Sequence, residues 1–206
     1  NKLTIIEGSS KFALDKELDK IFTNHKSIDY TDIIADTYFI ENKKNFNKFK
    51  KKIIDFKNNF FLKFQKNPLL TKYTIEEIMI IGSLIEKEGL DYYDKRLISS
   101  VILNRLEKKM KLQIDATVVY AITEGKYKIN RNLNYSDLKI DNPFNTYKIN
   151  GLPPQPISYV GSKTIELIME NYKTNYLFYF YNAFEKKHIF SKNYKNHTKK
   201  LNEYRK

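Results

Sequence analysis

Hydrophobic positions divide the chain into a few recognisable stretches. The most concentrated is TIEEIMIIGSLIEKE, residues 74–88, where Ile75, Ile78, Met79, Ile80, Ile81, Leu84 and Ile85 cover every azimuth of a helix. A helix apolar all round is one packed on all sides. Thr74 with Glu77 three residues on forms a capping box, so its start is well marked, and Gly89 is placed to stop it with a positive φ. Upstream, residues 43–65 carry Phe46, Phe49, Ile53, Phe56, Phe60 and Phe64 at spacings of three and four. That stripe predicts an amphipathic helix facing the core, with a membrane-surface helix as the alternative because lysines lie opposite. Pro68 breaks the chain between the two.

The remaining elements are shorter. Residues 2–7 read as a strand, residues 12–22 as a helix, and residues 29–40 as irregular. A helix starting at Asp91 and running to about Lys109 has Leu97, Ile98, Val101, Ile102 and Leu106 as its apolar face. From Gln113 the periodicity loosens. Ser136 caps a short turn, and residues 141–156 form a long loop stiffened by prolines. Residues 174–191, TNYLFYFYNAFEKKHIFS, follow the strand, turn, strand pattern of a hairpin.

Two carboxylates near the end of the apolar helix are the candidate chemistry. A carboxyl on a buried helix is open to desolvation, which raises its pKa and suits it to donate a proton. Glu86 and Glu88 are turned roughly 200° apart, so only one can face a given cleft. Periodicity does not choose between them: Glu86 continues the row Met79, Gly82, Ser83, and Glu88 continues Ile81, Leu84, Ile85. The small Gly82 and Ser83 leave room for a ligand beside Glu86 and tip the reading toward it.

With 206 residues the chain is long enough for one sizeable core, burying about 70% of its unfolded surface. It has no cysteine, and its three histidines (His25, His188, His197) are far apart, which argues against a metal site. The net charge of +13 raises nucleic acid as a partner, but only four of the 37 basic residues are arginine (Arg96, Arg105, Arg131, Arg205). Lysine lacks the bidentate fork that base and phosphate readers favour, so another anionic partner, such as a phospholipid surface or an acidic cell-wall polymer, fits as well. No stretch reaches the ~20 apolar residues of a membrane span. The opening NKLTIIEG, without an initiator Met, reads as the start of a fragment or a processed form.

GSLIEKE, then VILNRLEKKMKLQIDATVVYA at residues 101–121, NPFNTYKINGLPPQPIS at 142–158, and NYLFYFY with HIFS, taken in this order, resemble the YceG-like endolytic murein transglycosylases (MltG). TIIEG and ADTYFI resemble that family's earlier blocks, so the likeness covers nearly the whole chain. Three departures stand out: Gln155 where the family usually has Gly, Ala116 where it has Pro, and Asn196 for an acidic residue before His197. They leave the shape of the long loop and the part played by His197 open.

The resemblance implies an enzyme that cuts nascent peptidoglycan between MurNAc and GlcNAc within the strand, leaving 1,6-anhydroMurNAc and needing no cofactor. It implies a single-pass anchor in the inner membrane, the catalytic part lying outside it, and cell-wall synthases (penicillin-binding proteins) as partners; nucleic acid is not among them. The resemblance also implies an anchor and a LysM-like region ahead of these blocks, and this chain is expected to be the part that follows them. Carried over residue by residue, Glu86 is the catalytic acid and base, and Glu88 has a supporting role, as do Asn104 and Arg105, whose plain reading is surface or capping. Gln113, Asp115, Tyr120, Asn145, Thr146 and Tyr147 are candidates for holding the sugar. The structural alternatives are that Asn145 and Thr146 close a turn, Asp115 caps a helix and Tyr120 is core. The expected architecture is α+β: an N-terminal α/β subdomain over residues 1–68, and a mostly helical catalytic core with a small antiparallel β element over 69–206. A non-catalytic glycan-binding module of the same fold and an ordinary hydrolase are the competing readings.

Overall fold

A computed structural model of the chain describes residues 2–41 and 45–204. Its first part is built from β1 (Lys2–Thr4), α1 (Lys11–Asp19), β2 (Ile34–Ala35), β3 (Thr37–Phe39) and α2 (Phe46–Leu62). Strand β1 pairs antiparallel with β3, in a register that sets Leu3 opposite Tyr38. Residues 29–40 are therefore not irregular throughout. Their strands are two and three residues long, too short for any local period to show, and they exist because distant strands pair with them. Helix α2 starts at Asn45, whose side chain accepts from Lys48 N–H; the earlier start expected at Lys43 lies outside the described residues.

The second part holds α3 (Ile75–Glu88), α4 (Tyr92–Glu107), α5 (Asp115–Thr123), β4 (Val160–Gly161), α6 (Ser162–Met169), the hairpin β5 (Phe178–Asn182) and β6 (Lys187–Ser191), and α7 (Tyr194–Tyr204). Both halves of the Thr74–Glu77 capping box form. Gly89 stops α3 from an ordinary extended conformation, φ −77°, and not the left-handed one expected, while its N–H still caps Ile85 C=O. Helix α5 falls where the sequence pattern loosens. Its DATVVYAIT is rich in β-branched residues that propagate a helix poorly, and packing against α3 overrides that preference. The long loop over 141–156 and the hairpin are as expected.

The architecture is α+β, with three two-stranded sheets among the described residues. One apolar cluster joins Leu3, Leu14, Leu18, Tyr30, Tyr38, Phe46, Phe49 and Ile53 to Tyr159; another runs from Phe60 and Phe61 through α3, α4 and α6. Helix α2 serves both, so the phenylalanine stripe is core-facing, with Phe56 as its exposed member.

Helix α3 is the element that positions the candidate chemistry. Ile78 through Ile85 are all buried, packed by α4, α5, α6 and β4. The short parallel pair β2–β4 explains the small residues on one side of it. A Cβ on Gly82 would lie 2.6 Å from Val160 Cγ1, and Ser83 Oγ accepts from Ile157 N–H at 3.0 Å while Ser83 C=O accepts from Ser158 Oγ. The space read as room for a ligand is taken up by the chain at residues 157–160.

Candidate active site

Glu86 leaves α3 on the side of that strand. Its side chain is 2% exposed and both carboxylate oxygens are engaged: Gly161 N–H donates to Oε1 at 3.0 Å, and Lys95 Nζ from α4 donates to Oε2 at 2.6 Å. Lys95 also lies 3.8 Å from Glu7 and donates to Thr164 Oγ1. The geometry is that of a structural tie joining the N-terminal strand region, α3, α4 and β4. With its side chain buried and both oxygens taken by protein donors, Glu86 presents neither oxygen to a substrate. The placing of Glu86 as proton donor therefore does not fit its surroundings, because its row faces the packed interior.

Glu88, assigned only a supporting part from the sequence, has the environment expected of the acid. Burial pushes its carboxyl above the ordinary range of a glutamate, and the charge of Asp115 pushes the same way. Against these, the Tyr179 hydroxyl donates to Oε2 at 3.2 Å, and His188 and the Ala116 N–H favour the carboxylate. The Ala116 contact depends on one of the sequence's departures: a proline there has no N–H to give.

Around Glu88 the structure assembles groups from α4, α5, β5, β6 and the long loop. Tyr147, in the long loop, donates to Asp115 Oδ1 at 2.5 Å, and burial followed by that bond raises its phenol. Burial, with Glu88 second, raises the phenol of Tyr179. Both therefore stay protonated donors across the neutral range. Behind Tyr179 the His188 ring stands edge-on at 5.4 Å, its Nδ1 2.9 Å from Asp94 Oδ2. Arg105 is buried, donating Nε to Leu177 C=O at 2.6 Å and Nη1 to Leu112 C=O at 2.8 Å, with its guanidinium over the Phe178 ring. Asn104 donates to Thr174 and Tyr176 C=O, each at 2.9 Å. These two hold the approach to β5 against α4 and so fix where Tyr179 points.

The residues expected to hold the sugar divide into two groups. Asp115 and Gln113 are exposed beside the start of α5, with Gln113 in the left-handed region at φ +49°. Asn145 and Thr146 are fully buried. Asn145 donates to Leu138 and Ile140 C=O and accepts from Tyr147 N–H. Thr146 Oγ1 accepts from Ile114 N–H and bonds Thr117 Oγ1. Both have all their polar capacity turned inward, so they shape the loop that presents Tyr147 and cannot touch a ligand. Tyr120 packs edge-on against Tyr30 and 4.8 Å from Phe144, with one face on a cavity. The sequence reading missed Tyr179, His188 and Asp94. Hairpin alternation was the available signal, since Tyr179 and Tyr181 share a face with their cross-strand neighbours Phe190 and His188.

Two hollows bear on where a ligand could sit. One of about 670 Å³ reaches Ala116 and Lys87, next to Glu88. The other, about 490 Å³, lies between β3 and α2, lined by Tyr38, Phe56 and lysines, and includes none of the groups around Glu88.

The sequence pattern of the YceG-like family matches residues 1–203. The chain belongs to the YceG-like family. The endolytic murein transglycosylase of Bacillus subtilis (strain 168) is 38% identical over 147 residues, covering 71% of this chain and 39% of that protein. The corresponding protein of Streptococcus pneumoniae serotype 2 is 34% identical over 134 residues, covering 64% of this chain and 24% of its own length. This member thus matches well under half the length of the curated relatives. A crystal structure of a yceG-like protein from Listeria monocytogenes superposes with a TM-score of 0.78 at 27% identity, covering 96% of this YceG-like chain and 75% of that one.

Proposed function

We propose that this chain is the catalytic part of an endolytic lytic transglycosylase acting on peptidoglycan, with Glu88 as its acid and base. The observation that carries the reading is a desolvated carboxyl, raised in pKa, that faces neutral phenol donors while its neighbour Glu86 is tied into an ion pair. Protonated Glu88 gives its hydrogen to the glycosidic oxygen between MurNAc and GlcNAc as that bond breaks. As a carboxylate, it then takes the proton of the MurNAc 6-hydroxyl while that oxygen attacks C1. The cycle returns the carboxyl to its starting state, consumes no water and leaves a 1,6-anhydro ring. Two-carboxylate glycosidases divide these duties between residues, whereas here one residue serves in turn. Asp115 and Tyr147 are placed to meet sugar hydroxyls, with Gln113 and Tyr120 at the margins.

Cleavage within nascent strands would end glycan elongation, which makes cell-wall synthases the fitting partners and the outer face of the inner membrane the fitting location. No helix among the described residues is long and apolar enough to cross a membrane, so anchoring would lie with a single-pass segment outside them. Residues 1–68 would act as a subdomain bracing the catalytic core over 69–206.

The test is digestion of uncrosslinked peptidoglycan followed by mass spectrometry of the ends. Anhydro ends, lighter by one water than reducing ends, are the expected product. Reducing ends indicate a hydrolase. Binding without products indicates a docking module.

A further inference from the structure

The 670 Å³ cavity beside Ala116 has a chemistry that cleavage of a glycosidic bond does not require. Lys16, Lys87, Lys126 and Lys128 line it, with Phe12, Tyr120 and Tyr127 as apolar walls, and no Asp or Glu is among its lining residues. In a chain with 24 acidic residues, four cations line one hollow whose lining holds no carboxylate, and only Lys126 is met by a neighbouring acid. Lys16, Lys87 and Lys128 are the cations of this lining without a carboxylate contact among the described residues, and the fourth is met from outside it. Lys126 pairs with Glu124 outside the lining. Lys16 sits 4.5 Å over the Phe12 ring, and Lys87 reaches only the carbonyl of Gly8, at 3.4 Å. Partial burial and then the charge of Lys128 hold the Lys87 ammonium below the ordinary lysine range, as expected where cations crowd without counter-charge.

The location joins this site to the reaction. Lys87 is the residue between the two glutamates of α3, and Ala116, whose N–H meets the Glu88 carboxyl, forms part of the cavity wall. A muramoyl sugar placed at Glu88 would have this hollow as an adjoining space, across the shared Ala116 wall, for its lactyl arm and peptide. The volume lies in the range of sites that enclose a small ligand. Stem peptides carry free carboxylates on a short, partly apolar chain, which matches both the lysines and the aromatic walls.

We propose that this cavity binds the acidic stem peptide of the muramoyl residue at the cleaved bond, its carboxylates meeting Lys16, Lys87 and Lys128, so that the protein favours peptide-bearing over naked glycan. The proposal rests on the reading of Glu88 as the acid of a murein-cleaving site.

Calorimetric titration on Glu88→Gln protein, which binds without turnover, tests it with two probes: a GlcNAc-MurNAc-tetrapeptide and the same disaccharide stripped of its peptide. The peptide-bearing probe should bind about tenfold more tightly at low salt, since exposed ion pairs contribute little each and three act together. The ratio should shrink as salt is added. Lys16→Glu with Lys128→Glu, both exposed positions, should bring the ratio close to one, and the paired Lys→Arg variant should keep it. Equal binding of the two probes, or a preference that survives the Lys→Glu pair, overturns the proposal. The anhydro-end assay on wild-type protein is separate, so failure of this inference and failure of the functional reading are told apart.

Discussion

Glu86 and Glu88 leave the same last turn of α3, and half a helical turn gives them opposite surroundings. On one side lie β4, Lys95 and the N-terminal strand region, and there every oxygen is engaged and water is excluded by packing. On the other lie the start of α5, the long loop and the aromatic hairpin, which desolvate a carboxyl without giving it a counter-ion. Burial alone therefore does not make an acid. Burial with a lysine partner makes a strut, whereas burial against phenols beside another carboxylate raises the carboxyl's pKa, the condition the proposed proton donor needs.

The comparison can be broken first at Glu88. Glu88→Gln keeps the shape and the acceptor for Tyr179 but removes the transferable proton, so formation of anhydro ends should fall by about 10³-fold. Circular dichroism should show the fold retained. Next comes Glu86→Gln, which leaves Lys95 without its close partner and should destabilise by about 3 kcal/mol in denaturant unfolding, with turnover per folded molecule within a few-fold of wild type. A large loss of turnover at full stability would reverse the two roles. Gly82→Ala sharpens the same contrast from the packed side: the new methyl meets Val160 at 2.6 Å, and a thermal melt should register a loss of about 2 kcal/mol. The mildest change is Ala116→Pro, at a helix start that accepts proline. It removes the N–H that favours the Glu88 carboxylate, so the pKa of Glu88 rises and the alkaline limb of the pH–rate profile should move to higher pH.

Most of what packs locally was legible in the sequence. The capping box at Thr74, the all-round apolar α3, the phenylalanine stripe of α2 and the hairpin follow from periods a single segment displays. What was not legible is what distant segments do to each other. Gly82 and Ser83 look like a gap until Val160 is seen to fill it, and β2 and β3 are invisible without their partners. The choice between Glu86 and Glu88 turned on Lys95, nine residues on, and on Tyr179, 91 residues on. Neither separation carries a signal in one sequence. Asn145 and Thr146 show the same limit: their amide and hydroxyl chemistry is suited to sugars, but burial turns it to the backbone.

The difference in stability between Glu88→Gln and wild type, measured by denaturant unfolding from pH 4 to pH 8, bears most directly on the claim that Glu88 is a carboxyl forced to keep its proton. In the unfolded chain its pKa is ordinary, about 4.3, and folding raises it. Below the unfolded value both states hold the proton and folding carries no penalty. As pH rises toward the folded value, the unfolded chain sheds its proton first and the wild-type fold loses stability that the glutamine variant keeps. The account predicts a gap that is smallest at pH 4 and opens in the variant's favour by pH 8. A gap that stays flat, or that opens in favour of wild type, would contradict it.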